Sequence, residues 1–478
     1  MIDVLVAGAG PTGLLLAGDL AAQGVRVTLV ERRAEESNLT RAFAVHARTM
    51  EQLDARGLAD EVLAGGNSVD RLGVFGRATV DLRSLPTRFP FVLVTPQYAV
   101  ERVLEDRAAR LGATILRGVR VRDLAQDADG VTVDCEGLDG EASRLRASYL
   151  VGTDGHHSAV RDALGLDFPG ASVVRSVILA DVRMSDPPAG LLNFNANGEG
   201  FFFVVPFGDG WFRVITRDPD RELPDDAPVD LAEIRGLAER VVGTDFGMTD
   251  PRWMSRFHSD ERQVPRYRVG RVLLAGDAAH VHSPAGGMGM NTGLQDAANL
   301  GWKLATVVAG RGGDRLLDSY HDERHPVGRM VLRTSGGLIR AALLRRGPAR
   351  ALRDAAATTA LRLPPVTRRL GLRISGLGIA YDPPPGSHRP VGTRAPDVTG
   401  TDGLRLYEAL RSGRHVLVAP KGFPAPTVDG RLQLLPLHAG TPRLVRPDGY
   451  VGWAGDGVDG LTAALEYWGV LGPGQPGA

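Results

Sequence analysis

Residues 275–291 read Ala-Gly-Asp-Ala-Ala-His-Val-His-Ser-Pro-Ala-Gly-Gly-Met-Gly-Met-Asn. Asp277 follows a short apolar run, residues 271–275, and so stands where an open α/β sheet presents ligand-facing carboxylates. Gly286, Gly287 and Gly289 let the backbone approach a ligand closely. A helix-like stretch follows over 292–309, and the amides of Gly289, Met290 and Asn291 would point out of its start, where negative charge is stabilised. A second run of the same kind opens the chain. Gly8-Ala9-Gly10-Pro11-Thr12-Gly13 follows the apolar residues 1–7, and Glu31 ends a second apolar run over 25–30. Gly8 would make the tight turn, Gly10 admit a pyrophosphate, Gly13 allow close helix–strand packing, and Glu31 accept from a ribose. Carboxylates for sugar hydroxyls and amide cradles for anions are what a flavin dinucleotide needs. A glycine-rich turn without a ligand would leave Glu31 unexplained.

The elements that must position these residues follow from periodicity. Residues 1–171 alternate strands and helices: strand 1–7, helix 14–23, strand 25–30, and a helix over 95–111 with Pro96-Gln97 at its start. Strands over 115–124 and 130–136 come next, then Leu150-Val151-Gly152-Thr153-Asp154-Gly155. Residues 172–265 are β-rich at 173–184, 200–207 and 211–216, with a hairpin turn at Gly208-Asp209-Gly210. They read as an antiparallel sheet inserted into the α/β pattern, which resumes at 271. Residues 314–362 are helical, the prolines at 364–365 and 383–385 mark a linker, and 386–478 form a small third domain.

Composition narrows the function. The 478 residues carry 43% hydrophobic and 23% charged side chains with a net charge of zero, which favours neither nucleic acid nor an anionic membrane. Cys135 is the sole cysteine, so an intrachain disulfide or a CxxC redox pair is impossible. No apolar run approaches membrane-spanning length, and the first residues read as a strand; a cytoplasmic monomer or homodimer is expected. His280 and His282 lack a third ligand nearby, so packing or hydrogen bonding near the glycine loop is expected rather than a metal. The acids and histidines of 318–325 read as a capping and packing cluster for the same reason. His46 is either a substrate-side base or a structural residue beside Arg48. Arg213 either faces a pocket or is a solvated strand charge. Phe201, Phe202 and Phe203 must alternate faces, and with Trp211 they offer apolar surface for a flat ring.

Three motifs occur in one order: Gly8–Gly13 with Glu31, then 152–155, then 275–277 with Pro284–Asn291. That order resembles the group A FAD-dependent aromatic hydroxylases typified by p-hydroxybenzoate hydroxylase. Residues 40–48, 317–326 and Arg446-Pro447-Asp448-Gly449 resemble the rifampicin monooxygenase and aromatic polyketide hydroxylase branch. The resemblance implies an α/β fold: a Rossmann-like FAD-binding domain (1–171 and, with a helical linker, 266–385), an inserted antiparallel β-sheet substrate domain (172–265) and a thioredoxin-like C-terminal domain (386–478). It implies that Gly8, Gly10, Pro11, Thr12, Gly13, Glu31 and Arg32 hold the ADP half of FAD. Arg41 and Gln97 would approach the pyrophosphate, ribityl or flavin edge, and Asp154 and Gly155 the FAD and the reduced nicotinamide. Asp277 would hold the ribityl or pyrophosphate side, and Pro284, Gly287, Gly289, Met290 and Asn291 the pyrimidine end. Arg41, Arg213, Pro284 and Gly289 are the implied catalytic residues. Phe43 stands where some relatives carry a second arginine, and Met288 where many carry glutamine.

The implied activity is hydroxylation of a bulky phenolic or polyketide-like ring by O₂ through a flavin C4a-hydroperoxide, with NAD(P)H, NADPH favoured, as reductant. Baeyer–Villiger insertion on the same scaffold stays open. A flavin halogenase is disfavoured, because the tryptophans (211, 253, 302, 453, 468) are isolated and neither Lys303 nor Lys421 sits in a halogenase motif. A dehydrogenase is a further alternative. A non-catalytic scaffold would tolerate damage to the phosphate loop or to Asp277, and both are intact.

Overall fold

The structure is a computed structural model that describes residues 2–35, 42–73, 79–188, 193–207, 210–342, 344, 347–426, 428 and 430–471. Its central sheet has eight strands. Ile2–Ala7 lies in the middle, flanked in parallel by Val27–Glu31 on one side and Ala142–Gly152 on the other. Thr114–Arg117 extends the first side and Val272–Leu274 the second, both in parallel. Such strands are buried on both faces, which is why they read as continuous apolar runs; Val4, Leu5 and Val6 have no exposed surface. The chain leaves the middle strand for one side and returns on the other. The switch point therefore falls between Ile2–Ala7 and Ala142–Gly152, where open α/β sheets bind ligands.

The three motifs are the carboxyl ends of three adjacent strands. Ala7 is in register with Gly152, and Gly152 with Leu274. Backbone bonds continue past the strands: the Thr153 amide donates to Ala7 O at 2.8 Å, and the Ala275 amide to Gly152 O at 3.0 Å. The expected strand over 115–124 is two strands, Thr114–Arg117 and Val119–Gln126, parted by Gly118 at φ +74°. Thr114–Arg117 stays in the parallel sheet, whereas Val119–Gln126 turns away to pair antiparallel with Val131–Gly137.

The second sheet has six strands, in the order Asn193–Asn197, Gly200–Pro206, Phe212–Arg217, Gly170–Met184, Met248–Gln263 and His280–Val281, all antiparallel. The helix Leu231–Val242 packs on one face over Phe202, Val204 and Val214. The other face carries Phe201, Val205, Ile215, Leu179 and Phe257. Alternation along Gly200–Pro206 thus sorts the three phenylalanines as expected: Phe202 goes to the helix side, and Phe201 and Phe203 to the other. The hairpin between Gly200–Pro206 and Phe212–Arg217 forms as expected, although residues 208 and 209 of its turn lie outside the described residues.

Helices Asp314–Ala342 and Gly347–Ala360 occupy the expected helical region. The linker expected at Pro364-Pro365 is instead the start of a helix, Pro364–Ile374. Proline has no amide hydrogen, but the first helical turn needs none, so two prolines open a helix without loss. The C-terminal residues build a four-stranded mixed sheet in the order Leu432–Leu437, His415–Pro420, Arg443–Val445, Val451–Ala454. The first pair is parallel and the others antiparallel, with helix Leu461–Tyr467 packed against the sheet, a thioredoxin-like layout without a thiol.

Buried charge docks this last unit on the rest. Glu51 accepts from Arg394 (2.5 and 2.7 Å), Arg48 (2.9 Å) and Tyr407 (3.1 Å). Glu323 accepts from Arg446 (2.5 and 2.9 Å) and Lys303 (2.8 Å). Burial opposes ionisation of Glu323, but Arg446 and Lys303 overcome it and hold the carboxyl down to about 2. Within the stretch expected to cap and pack, 318–325, Asp318 pairs with Arg268, Glu323 with Arg446 and Lys303, and Arg324 with Asp296. Removing Glu323 leaves buried Lys303 without its carboxylate, while Arg446 keeps Asp448, so Glu323→Ala should lower unfolding free energy by about 3 kcal/mol in urea titrations at pH 7. Because the folded carboxyl lies below its unfolded value near 4.3, the contribution is present above about pH 4.3 and is lost as pH falls through about 2. The Ala variant should show no stability change from this group across that window.

Candidate active site

Two neighbouring cavities border the loop 284–287, one of them at the carboxyl ends of the central strands. One, of about 300 Å³, is lined by Gly10, Pro11, Thr12, Gln97, Gly155, Asp277, Pro284, Gly287, Gly289 and Met290, among others. The other, of about 220 Å³, is lined almost wholly by apolar side chains, including Val92, Val94, Phe201, Phe203 and Ile339. Phe43, Ala44's neighbour in the chain, lines both, as do Ile215, Pro284 and Gly287, so the cavities share a wall.

The loop Gly8–Gly13 explains the first cavity atom by atom. A Cβ on Gly8 (φ +103°) would lie 2.5 Å from Thr153 O, and one on Gly13 would lie 2.0 Å from Gly8 O. Both glycines are packing requirements. A Cβ on Gly10 would meet nothing within 4 Å, in extended backbone (φ −78°, ψ 177°) that any residue adopts. The empty side of Gly10 faces the cavity, and the first-turn amides of Pro11–Ala22 lack helical acceptors there. An open cradle beside orphan amides fits a pyrophosphate. Thr12 also joins this loop to the third motif: a Cβ on Gly276 or Gly293 would fall within 2.7 or 2.3 Å of its hydroxyl.

Glu31 is buried, with one oxygen accepting from the Ala9 amide (2.8 Å) and the other from the Arg33 amide and Nε (3.0 and 2.8 Å). Burial opposes its charge, but Arg33 and these bonds keep its pKa below the usual value. The carboxylate thus stiffens the glycine loop. Arg32 is exposed, and its neighbour Arg33 is the residue paired with Glu31. Gln97 lines the cavity with its amide oriented: Oε1 accepts from the Ala42 amide at 3.3 Å, and Nε2 donates to Glu101 at 2.8 Å. Burial pushes Glu101 up to about 7. Arg41 lies outside the described residues.

At the third motif, Asp277 sits in a short 3₁₀ turn, Gly276–Ala278, and its exposed side chain lines the cavity. The following helix is Met288–Val308, one turn longer than expected, because Gly287 takes the left-handed conformation (φ 62°) and caps it. Its free first-turn amides are consequently those of Met288, Gly289 and Met290. The Asn291 amide lies inside the helix, past the free first turn, and its buried side chain is hydrogen-bonded within the protein. Oδ1 accepts from the His46 amide (2.8 Å), and Nδ2 donates to Ala44 O (2.9 Å) and Gly287 O (2.7 Å). The Asp154 side chain is likewise engaged within the protein. Its carboxylate accepts from Ser158 Oγ (2.5 Å) and the Val160 amide (3.1 Å), bracing the short helix Ala159–Ala163, while burial raises its pKa. Gly155 and Thr153 line the cavity in its place.

Arg213 faces the same side of the sheet as Ile215, but neither cavity includes it. It is buried in a bidentate pair with Asp181 (2.7 and 2.9 Å), below the rings of Phe207 and Trp253. A guanidinium so engaged is a cross-strand tie. Trp211 is likewise absent from the described lining, with Arg183 and Arg252 over its ring at 4.9 and 4.6 Å. His280 pairs with buried Asp296 (Nε2–Oδ2, 2.6 Å). Sequence reasoning did not pick out His282 as a cavity residue, although its imidazole lines the 300 Å³ cavity. Burial pushes it down to about 4.

A Rossmann-type sheet with a glycine-rich cradle at its switch point, beside an apolar chamber, defines a dinucleotide-binding α/β protein. Residues 1–335 match the model of the FAD binding domain family, and residues 388–472 that of the aromatic-ring hydroxylase C-terminal family. The chain is 40% identical to 12-dehydrotetracycline 5-monooxygenase/anhydrotetracycline 6-monooxygenase of Streptomyces rimosus, over 98% of both chains. It is also 40% identical to rifampicin monooxygenase of Streptomyces venezuelae, again over 98% of both. The structure of an anhydrotetracycline hydroxylase from Streptomyces rimosus superposes with a TM-score of 0.87 at 38% identity, covering 98% of this chain and 99% of that one. The chain belongs to the FAD-dependent aromatic-ring hydroxylases, and it is an FAD-dependent monooxygenase.

The glycine geometry separates ligand contact from packing. Gly10→Val should fold with an unchanged apoprotein melting midpoint yet purify without FAD. Gly13→Val should lower the midpoint itself, because the new Cβ meets Gly8 O. Thermal melts together with the 450/280 nm absorbance ratio check both.

Proposed function

We propose that this monooxygenase hydroxylates a flat, polycyclic aromatic ring of the polyketide-antibiotic kind, with reduced nicotinamide, NADPH in preference to NADH, as the electron source. The observation that carries this reading is the wall common to the two cavities, formed by Phe43, Ile215, Pro284 and Gly287. A ring held in the apolar chamber lies against the residues that border the FAD cradle. The relatives named for tetracycline and rifampicin substrates support the ring class.

When bound, FAD supplies the two-electron activation of O₂ and delivery of an electrophilic oxygen to the ring. The balance is ring C–H, O₂, NAD(P)H and a proton giving ring C–OH, NAD(P)⁺ and water. The chain's own residues bind, orient and exclude water. Gly10 with the first turn of Pro11–Ala22 takes the pyrophosphate, and Glu31 and Asp277 take hydroxyls. The amides of Met288, Gly289 and Met290 would stabilise negative charge on the isoalloxazine edge. Phe201, Phe203 and Ile215 form one wall of the chamber and Val92 and Val94 another, which suits a flat ring and excludes water. In this division of labour, residues 1–171 and 266–385 carry the cofactor, 172–265 roof the substrate, and 386–478 brace the assembly.

Asp277→Ala should weaken FAD binding by about 1.5–3 kcal/mol, read by flavin fluorescence titration of the apoprotein, with the melting midpoint of the apoprotein retained. Oxygen transfer is tested with ¹⁸O₂ and tetracyclic or ansamycin phenols. A product two mass units heavier than its ¹⁶O₂ control, formed only with FAD and NADPH, is expected. Unlabelled product refutes the reading, and ring expansion seen by NMR identifies Baeyer–Villiger insertion instead.

A further inference from the structure

Among the described residues lining the 220 Å³ chamber, His46 is the one polar side chain; the others are aliphatic, aromatic, proline or glycine. It is buried, and it stands at the N-cap of helix Ala47–Asp54 with its own amide held by Asn291. Burial, outweighing the backbone carbonyls of Ile374 and Gly286, favours its neutral form. A neutral imidazole has one N–H and one nitrogen lone pair, and among the described residues no donor meets that lone pair. A buried acceptor without a donor costs free energy that a ligand hydroxyl would recover. The place of this nitrogen matters as well. A Cβ on Gly287 would lie 3.6 Å from His46 Nε2, and Gly287 belongs to the wall between the chamber and the flavin cavity.

We propose that His46 is the specificity-determining contact of the chamber, accepting a hydrogen bond from a ring hydroxyl and so placing the neighbouring ring carbon at the opening to the flavin cavity. This rests on the function proposed above and deepens it: the substrate is a fused ring carrying a free hydroxyl beside the carbon to be oxygenated. The role is positioning and not proton abstraction, because burial pushes the imidazole down to about 4 and leaves it a weak base. The chamber then offers no strong base among its described residues, so the hydroxyl reacts as the hydrogen-bonded phenol or with acidity the ring itself supplies.

The test uses the FAD-loaded protein with 2-hydroxyanthraquinone and anthraquinone as probes, and reads binding from the perturbed flavin absorbance, without turnover. The wild type should bind the hydroxylated ring about tenfold tighter. His46→Met, which fills the space without a comparable acceptor, should bring the two affinities together, and His46→Gln, which keeps one, should restore most of the preference. FAD content and melting midpoints verify that the variants fold, and the ratio between probes is insensitive to a merely structural loss. A preference that survives in His46→Met, or its absence in the wild type, overturns the proposal. If both rings bind equally, and Ile215→Trp excludes both, the chamber assignment stands and the role of His46 alone falls. If neither ring perturbs the wild-type flavin, both fall.

Discussion

The carboxylate of Asp296 is the point on which the site depends. It has no exposed surface and lies on the helix that begins at Met288. One oxygen accepts from Arg324 Nε at 2.7 Å; the other meets His280 Nε2 at 2.6 Å and accepts from the Gly276 amide at 3.2 Å. Three segments therefore meet on one side chain: the turn that carries Asp277, the helix whose first amides face the flavin cavity, and the long helix Asp314–Ala342. Burial opposes the charge, and Arg324 and His280 outweigh it, so Asp296 stays ionised below the usual carboxylate range. Charge-assisted bonds of this length in a dry interior are directional, and they set the relative position of turn and helix more sharply than apolar packing would.

The same turn joins cofactor and substrate elements mechanically. His280–Val281, three residues past Asp277, is the sixth strand of the substrate sheet, in register with Gln263 and Arg262. A shift of that sheet against the central sheet must pass through the segment that borders the flavin cavity. Thr12 ties the same place to the first glycine loop through its contacts with Gly276 and Gly293. The distance between the cradle and the apolar chamber is thus set by a few short covalent and packed links. The C-terminal sheet acts from farther away: Glu51 and Glu323 clamp it to the helices behind the site.

The parts of the site legible from the chain are those whose requirement is local. The roles of Gly8, Gly10 and Gly13 follow from backbone conformation and from what a Cβ would strike, so their spacing alone carries them. Parallel strands buried on both faces leave apolar runs, and Phe201–Phe203 leave a two-residue alternation, so the sheets and the inserted segment were readable. Pro364-Pro365 misled, because the same residues that interrupt a helix can open one.

What only the tertiary structure decided is how side chains are spent. Periodicity puts Arg213 on the chamber side of its strand, but its partner Asp181 lies 32 residues away and takes the guanidinium out of reach. Asn291 is committed to Ala44 and His46, some 245 residues away, and Asp154 to the helix after it. Conversely, His46 enters the chamber because strands, helices and a loop distant in sequence enclose it with apolar walls. A motif states which backbone can approach a ligand, since that is a property of neighbouring residues. Whether a polar side chain faces a ligand or a partner depends on which group desolvates it first, and that is set by contacts between remote segments.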